Sequence, residues 1–285
     1  MTRKSLFYFA LVGLLWGIPY LLMKVAVEDF PPAAVVAGRT LIGASILIPI
    51  AIYRKKFGGA VLGFKYVAFY ALMEMIGPWI LITTAEQKIN SGLAGLLVST
   101  VPIFATIITS LRGDHSVWQF KRLFGIVVGF IGLILVVGIE SLSGNSDPLS
   151  IAMVIVASMG YAYAVIMVTS NLPLVDGIAI NGLAMAITTV FWAPVAIAQW
   201  PSSISMDSAL SLIALGIFST ALAFILFFKV MAEIGPARSS LVTYLNTAIA
   251  VVLGVIILRE PLTVGIVVGL PLVLVGSYLA SKKTA

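Results

Sequence analysis

The residue best suited to chemistry in this chain is Glu74, set between two methionines in "YALMEMIGPW" (residues 70–79). Apolar residues continue for many positions on either side. An ionised carboxylate in hydrocarbon costs ~2.5–3.5 kcal/mol on insertion scales, so such an acid is kept where it faces a helix-bundle interior or a watery cavity. There it can take up and release a proton, or hold a substrate amine. The alternative is a neutral, hydrogen-bonded acid that only aids packing. Gly77 and Pro78 follow within one turn, and proline removes a backbone hydrogen bond. A kink there either frees a carbonyl toward the interior or is passive. At helical spacing Glu74, Pro78 and Ile82 or Ala85 share a stripe. Trp79 lies about 100° round from Pro78 and need not share Glu74's surroundings.

Two cations, Lys24 and Arg39, also stand in apolar segments. Trp16, Tyr20 and Lys24 are spaced i, i+4, i+8, an aromatic pair leading to an ammonium. Arg39 and Lys24 together form a clamp for a substrate carboxylate or phosphate, through charge-assisted hydrogen bonds. Alternatively Lys24 snorkels to headgroups, and one or both cations pair with Glu28, Asp29 or Glu86. Ser99, Thr243 and Asn246 are polar groups in hydrocarbon and need partners. Helix–helix bonds or a lined cavity supply them. Met159, Tyr163 and Met167 make a further i, i+4, i+8 stripe, which either meets varied apolar ligands or simply packs.

Composition removes other chemistries. There is no cysteine, and the single histidine, His115, sits in the polar turn "RGDHS", so thiol catalysis, disulfides and a metal centre are not expected. No "GxxxxGK[ST]" stretch is present, so this chain carries no P-loop ATP site, and no cofactor is expected. Of the 285 residues, 61% are hydrophobic and only 10% charged, far below the charged fraction of a soluble surface.

The elements that must position these residues are membrane helices. A span needs roughly 20 mostly apolar residues. Ten segments qualify: 5–27, 33–53, 64–85, 91–111, 118–139, 149–169, 177–199, 208–231, 237–258 and 263–281. The first is too long for the apolar core of a signal peptide. With both termini cytoplasmic, Arg3, Lys4, Arg54, Lys55, Lys56, Lys65, Arg112, Lys121, Arg122, Lys229, Arg238, Lys282 and Lys283 share one side, the arrangement that positive charge favours. The +6 net charge is therefore a topology signal and not a nucleic-acid footprint. Glu74 falls near the bilayer midplane, whereas Glu28, Asp29, Glu86 and Glu260 fall in outer connections and Asp114 in an inner one.

The halves repeat. "VSTVPIFA" (98–105) aligns with "VTYLNTAI" (242–249), and "GIVVGFIG" (125–132) with "GLPLVLVG" (269–276). Gly17 and Gly160 lie 143 positions apart and Arg39 and Asn181 142. The shared offset, near half the chain, carries the argument. Five spans per half invert the second copy, a plan that lets two halves exchange conformations about a site between them. The expected fold is therefore an all-α membrane protein. Its ten transmembrane helices form two inverted five-helix repeats, residues 1–142 and 143–285, around a central cavity. "GIVVG" at 125–129 and 265–269 is expected to pack helices within one chain and not to form a dimer seam.

The chain resembles the ten-helix EamA-type branch of the drug/metabolite transporter superfamily. The matching pieces are "LLWGIPYLLMK", "FPPAAVVAGRTLIGA", "INSGLAGLLVSTVPIFATIITSLRGD" and "GIVVGFIGLILVV" in the first half. In the second they are "ARSSLVTYLNTAIAVVLGVIILREPLT" and "GIVVGLPLVLVGSYL". Such families often have proline where this chain has Asn246 and glutamate where it has Asp114. The resemblance implies a basket of helices around a central cavity, the fifth and tenth peripheral, and export of small metabolites or amphipathic compounds. The expectation is a secondary transporter working by alternating access, proton-coupled through Glu74. It would be a monomer in the cell membrane, taken as a bacterial inner membrane, with a small-molecule substrate, lipid and protons as partners and no nucleic acid. A facilitative uniporter or channel-like pathway and an exchanger of phosphorylated or anionic metabolites are the alternatives. A channel lacks a visible filter or ring of like charges, and an enzyme lacks clustered catalytic residues.

Overall fold

A computed structural model describes residues 3–113, 119–142, 147–234, 239 and 242–281, so His115 and Asp114 lie outside the described residues. The described residues form helices and no strand. Seven helices are long and apolar enough to cross a membrane: α1 (Arg3–Ala26), α2 (Pro32–Tyr53), α3 (Phe64–Ala85), α4 (Ser91–Leu111), α6 (Pro148–Asn171), α7 (Gly177–Ala198) and α8 (Met206–Ile234). Three more follow the same order, α5 (Phe120–Leu142), α9 (Val242–Ile256) and α10 (Val264–Ser281). A six-residue helix, Phe57–Leu62, joins α2 to α3. The chain is thus a multi-pass membrane protein.

Short polar residues start several helices. The Asp147 carboxylate accepts from the Ser150 N–H at the head of α6. Asp176 accepts from Ile178 and Ala179 at the head of α7, and Ser205 from Ser208 at the head of α8. Each satisfies backbone donors that the helix itself leaves open. Large apolar side chains such as Leu41, Val190, Phe191 and Ile197 stand exposed, as expected of helices bathed in lipid. The interior mixes large apolar side chains such as Leu47, Met75 and Leu97 with small residues, including Ala33, Ala34, Ala37, Ala94 and Ala157, which let helices approach closely.

Helix α2 packs against α7, and α5 against α10. At the second crossing a Cβ on Gly276 would run into the backbone of Gly129, and one on Gly132 would meet Leu272 and Val273. The first "GIVVG" stretch therefore packs within the chain. Two helices are interrupted by wide π-turns, Leu72–Ile76 in α3 and Leu215–Leu222 in α8. Their first residues lie 143 positions apart, the same spacing as Gly17 and Gly160. In α3 the wide turn ends at Gly77-Pro78. The Gly77 N–H reaches back to the Leu72 carbonyl, and Pro78 supplies no N–H.

Candidate functional site

Helix α2 holds Arg39 in the protein interior, where it is 6% exposed. Its guanidinium carbon lies 3.9 Å from the centroid of the Trp79 ring on α3. Nε and Nη2 donate to Thr220 Oγ1 in the α8 π-turn at 3.2 and 3.1 Å, and Nη1 points at Met23 Sδ of α1 at 3.6 Å. Among the described residues no carboxylate pairs with it. A buried guanidinium is costly unless an anion answers it; here the Trp79 ring and the Thr220 hydroxyl answer it in part.

Glu74 lies in the other π-turn, and its Oε2 is buried without a hydrogen-bond partner. The equivalent turn in α8 likewise carries a buried orphan, Ser219 Oγ. Tyr161 of α6 lies within electrostatic reach of Glu74, Tyr20 and Arg39 and in contact with the Trp79 side chain. Tyr161 also touches both large apolar clusters of the interior. Tyr70, one turn before Glu74, donates to Asn181 Oδ1 of α7 at 3.1 Å. The Ile76 carbonyl accepts from Trp192 Nε1 of α7 at 3.1 Å. The result is a cation and an acid separated by aromatic rings, an arrangement able to bind a carboxylate at one end and an amine at the other.

The remaining expected residues divide. Tyr20 is buried with Met23, Leu97 and Ala250, its ring over Gly95. Trp16 packs on Phe224 and Phe227 of α8, at 5.6 and 4.6 Å between ring centroids, so the α1 stripe does not share one environment. Lys24 forms no salt bridge among the described residues. Its Nζ donates to the backbone carbonyls of Glu86 and Ile89, at 2.6 and 2.9 Å, and so caps the end of α3. Ser99 donates to the Leu96 carbonyl at 2.6 Å, and its own carbonyl accepts from Ser277 at 2.9 Å, which is helix–helix bonding. Thr243 and Asn246 are half-buried and serve Thr247, whose Oγ1 donates to the Thr243 carbonyl at 2.8 Å. Tyr163 stands 38% exposed and edge-on to Phe69; Met159, one turn earlier on α6, is also exposed, whereas Met167 is buried.

Four residues were given no place in the site by the sequence: Trp79, Tyr161, Thr220 and Glu86. Trp79 does face the interior, because the π-turn shifts the helical wheel beyond it. Thr220 follows Ser219 in an otherwise apolar run, 143 positions after Gly77, and nothing in its own spacing marks it. Glu86, expected in an outer connection, does lie just beyond α3 but is wholly buried. At the opposite end a cavity of about 530 Å³ is lined by Arg54, Asp176, Ile178, Phe228 and Lys229, and Arg54 pairs with Asp176 at 3.7 Å.

Comparison with known proteins fits this geometry. A family model described as the EamA-like transporter family matches residues 3–138 and again residues 148–282. The uncharacterized transporter YoaV of Bacillus subtilis (strain 168) is 27% identical over 277 residues, covering 94% of this chain and 93% of the relative. The uncharacterized inner membrane transporter YedA of Escherichia coli (strain K12) is 25% identical over 281 residues, covering 95% and 90%. A solved crystal structure, 15% identical, superposes with a TM-score of 0.65 over 98% of both chains, which shows the fold shared from end to end.

Proposed function

Because this chain belongs to the EamA-like transporter family, we propose that it is a secondary transporter that exports small zwitterionic or amphipathic metabolites, amino acids among them, by alternating access. Its ten helices form two inverted five-helix halves, residues 1–142 and 143–285, in a cell membrane with both termini cytoplasmic. The family model's match to each half supports this. So does the spacing of the π-turns. Arg39 and Asn181, 142 positions apart, lend further support. Each reaches from the second helix of its half to the third helix of the other, Arg39 to Thr220 and Asn181 to Tyr70. Halves joined by matching contacts can rock about a site between them.

The observation that carries the substrate reading is the buried Arg39 guanidinium, stacked on Trp79 and without a carboxylate partner among the described residues. A substrate carboxylate docks there, its apolar body runs along Trp79 and Tyr161, and its amine turns toward Glu74. When the substrate leaves, Glu74 takes a proton in its place, and this exchange couples export to the proton gradient. The chain works as a monomer with lipid around it. The test is flux by purified protein in liposomes against amino acids, cationic drugs and sugar phosphates, with and without a proton gradient. Saturable, gradient-stimulated flux of an amino acid or other zwitterion is expected. Flux confined to sugar phosphates, or flux that does not saturate, would overturn the reading.

A further inference from the structure

Both carboxylate oxygens of Glu86 are buried and without a hydrogen-bond partner, and the residue is 0% exposed. It sits immediately beyond α3, where three segments from both ends of the chain converge. From α1, Lys24 is drawn onto the backbone carbonyls of Glu86 and Ile89. Tyr20, one turn deeper on α1, also feels the Glu86 charge. From the loop between α9 and α10, Glu260 folds over the head of α4. It accepts from the Ser91 N–H and hydroxyl, both at 2.8 Å, and from the Gly92 N–H at 3.3 Å. Lys88 turns away to Asp147, 3.9 Å distant, and leaves Glu86 unanswered. Burial, reinforced by the neighbouring Glu260 and opposed by Lys24, lifts the Glu86 carboxyl well above the usual carboxylate range.

We propose that Glu86 is a proton-binding site that latches the outer end of the transporter, separate from the substrate site at Arg39 and Glu74. Protonated, Glu86 is neutral, tolerates burial, and lets Glu260 and Lys24 hold the α3–α4 turn against α1 and the α9–α10 loop. When the proton leaves, the carboxylate repels Glu260, pulls the Lys24 ammonium off the two carbonyls and draws water into the contact. The outer end then opens. A proton taken from outside therefore closes the outer end, the order that exchange of an exported substrate for a proton requires. This inference rests on the transporter reading but not on the role given to Glu74.

The natural absence of cysteine provides the assay. Thr83 is fully buried on α3, one turn inside Glu86, with Oγ1 on Met23 Sδ at 3.5 Å. Thr83→Cys is labelled with a membrane-impermeant maleimide from the outer side of right-side-out vesicles across a pH series. The exposed Gln87→Cys supplies the intrinsic thiol reactivity at each pH. The normalised rate is expected to rise by up to about tenfold per pH unit as the proton leaves, the dependence of one proton linked to one opening. Glu86→Gln is expected to flatten that dependence at the low, closed rate. Glu86→Asp should retain a shifted dependence, and Glu74→Gln should leave it in place. An unchanged pH dependence in a monodisperse Glu86→Gln protein overturns the proposal. So does a dependence that follows sodium at fixed pH. Loss of the dependence in Glu74→Gln but not in Glu86→Gln would leave the central coupling reading standing and remove the latch.

Discussion

Arg39→Met separates a binding role from a structural one. Arg39 is a buried cation that stacks on Trp79 at 3.9 Å and donates twice to Thr220. A desolvated cation–π contact contributes ~2 kcal/mol or more, and each hydrogen bond from a charged donor about 1.5–3 kcal/mol. Against these stands an effective burial cost of several kcal/mol for a cation without an anion. The terms nearly cancel, and methionine keeps much of the side chain's volume. The thermal midpoint of detergent-solubilised Arg39→Met should therefore stay within a few degrees of the parent or rise. Binding should behave otherwise. Truncating one partner of a buried, hydrogen-bonded charge pair costs about 2–5 kcal/mol, roughly thirty- to four-thousand-fold in Kd. Calorimetric titration with the zwitterionic substrate and with its decarboxylated amine isolates the effect. The zwitterion should lose affinity by that factor while the amine barely changes. A midpoint lowered by more than about 10 °C, or equal losses for zwitterion and amine, would refute the argument that Arg39 waits for a carboxylate.

Three further outcomes follow from contacts elsewhere. Gly276→Ala places a methyl against the Gly129 backbone and should destabilise the α5–α10 crossing by about 1–3 kcal/mol, seen as a lower thermal midpoint. The Asp29 carboxyl, in the α1–α2 turn, is held below the usual range by hydrogen bonds from the Ser205 side chain, the Ser205 backbone and Ser208. Its contribution is present at neutral pH and lost as pH falls through that lowered value. Asp29→Asn should accordingly lower the thermal midpoint near pH 7 and cease to differ from the parent in acid. Tyr163→Ala, on the outward face of α6, should leave substrate flux within about twofold of the parent, the scale of an ordinary surface change.

The helices were legible because hydrocarbon imposes a length and a composition on each span. Phe64–Ala85 and Ser91–Leu111 coincide with the expected segments at both ends. The departure from a regular helix beside Gly77-Pro78 was also expected, and it takes the form of a π-turn just before them. What periodicity could not supply was direction beyond that turn. A wheel of 3.6 residues carries no information across an i→i+5 turn, so Trp79 was set apart from the site it helps to build. The burial of Glu86 was hidden for a different reason. A charged residue at a span end is solvated by default, and no sequence pattern marks that Lys24 of α1 and Glu260 of the distant α9–α10 loop converge on this turn. Lys24 illustrates the converse, since a lysine at a helix end reads equally well as snorkelling, pairing or binding. Its true partners are backbone carbonyls, which no sequence pattern marks.

The central claim is that Glu74 exchanges a proton for substrate beside Arg39. The most direct measurement is substrate flux in proteoliposomes under an imposed proton gradient, with counterflow at equal pH as control, for the parent and Glu74→Gln. The account predicts gradient-driven accumulation by the parent. It predicts that Glu74→Gln still exchanges substrate in counterflow but no longer accumulates it or responds to pH. Undiminished gradient-driven accumulation by Glu74→Gln would contradict it.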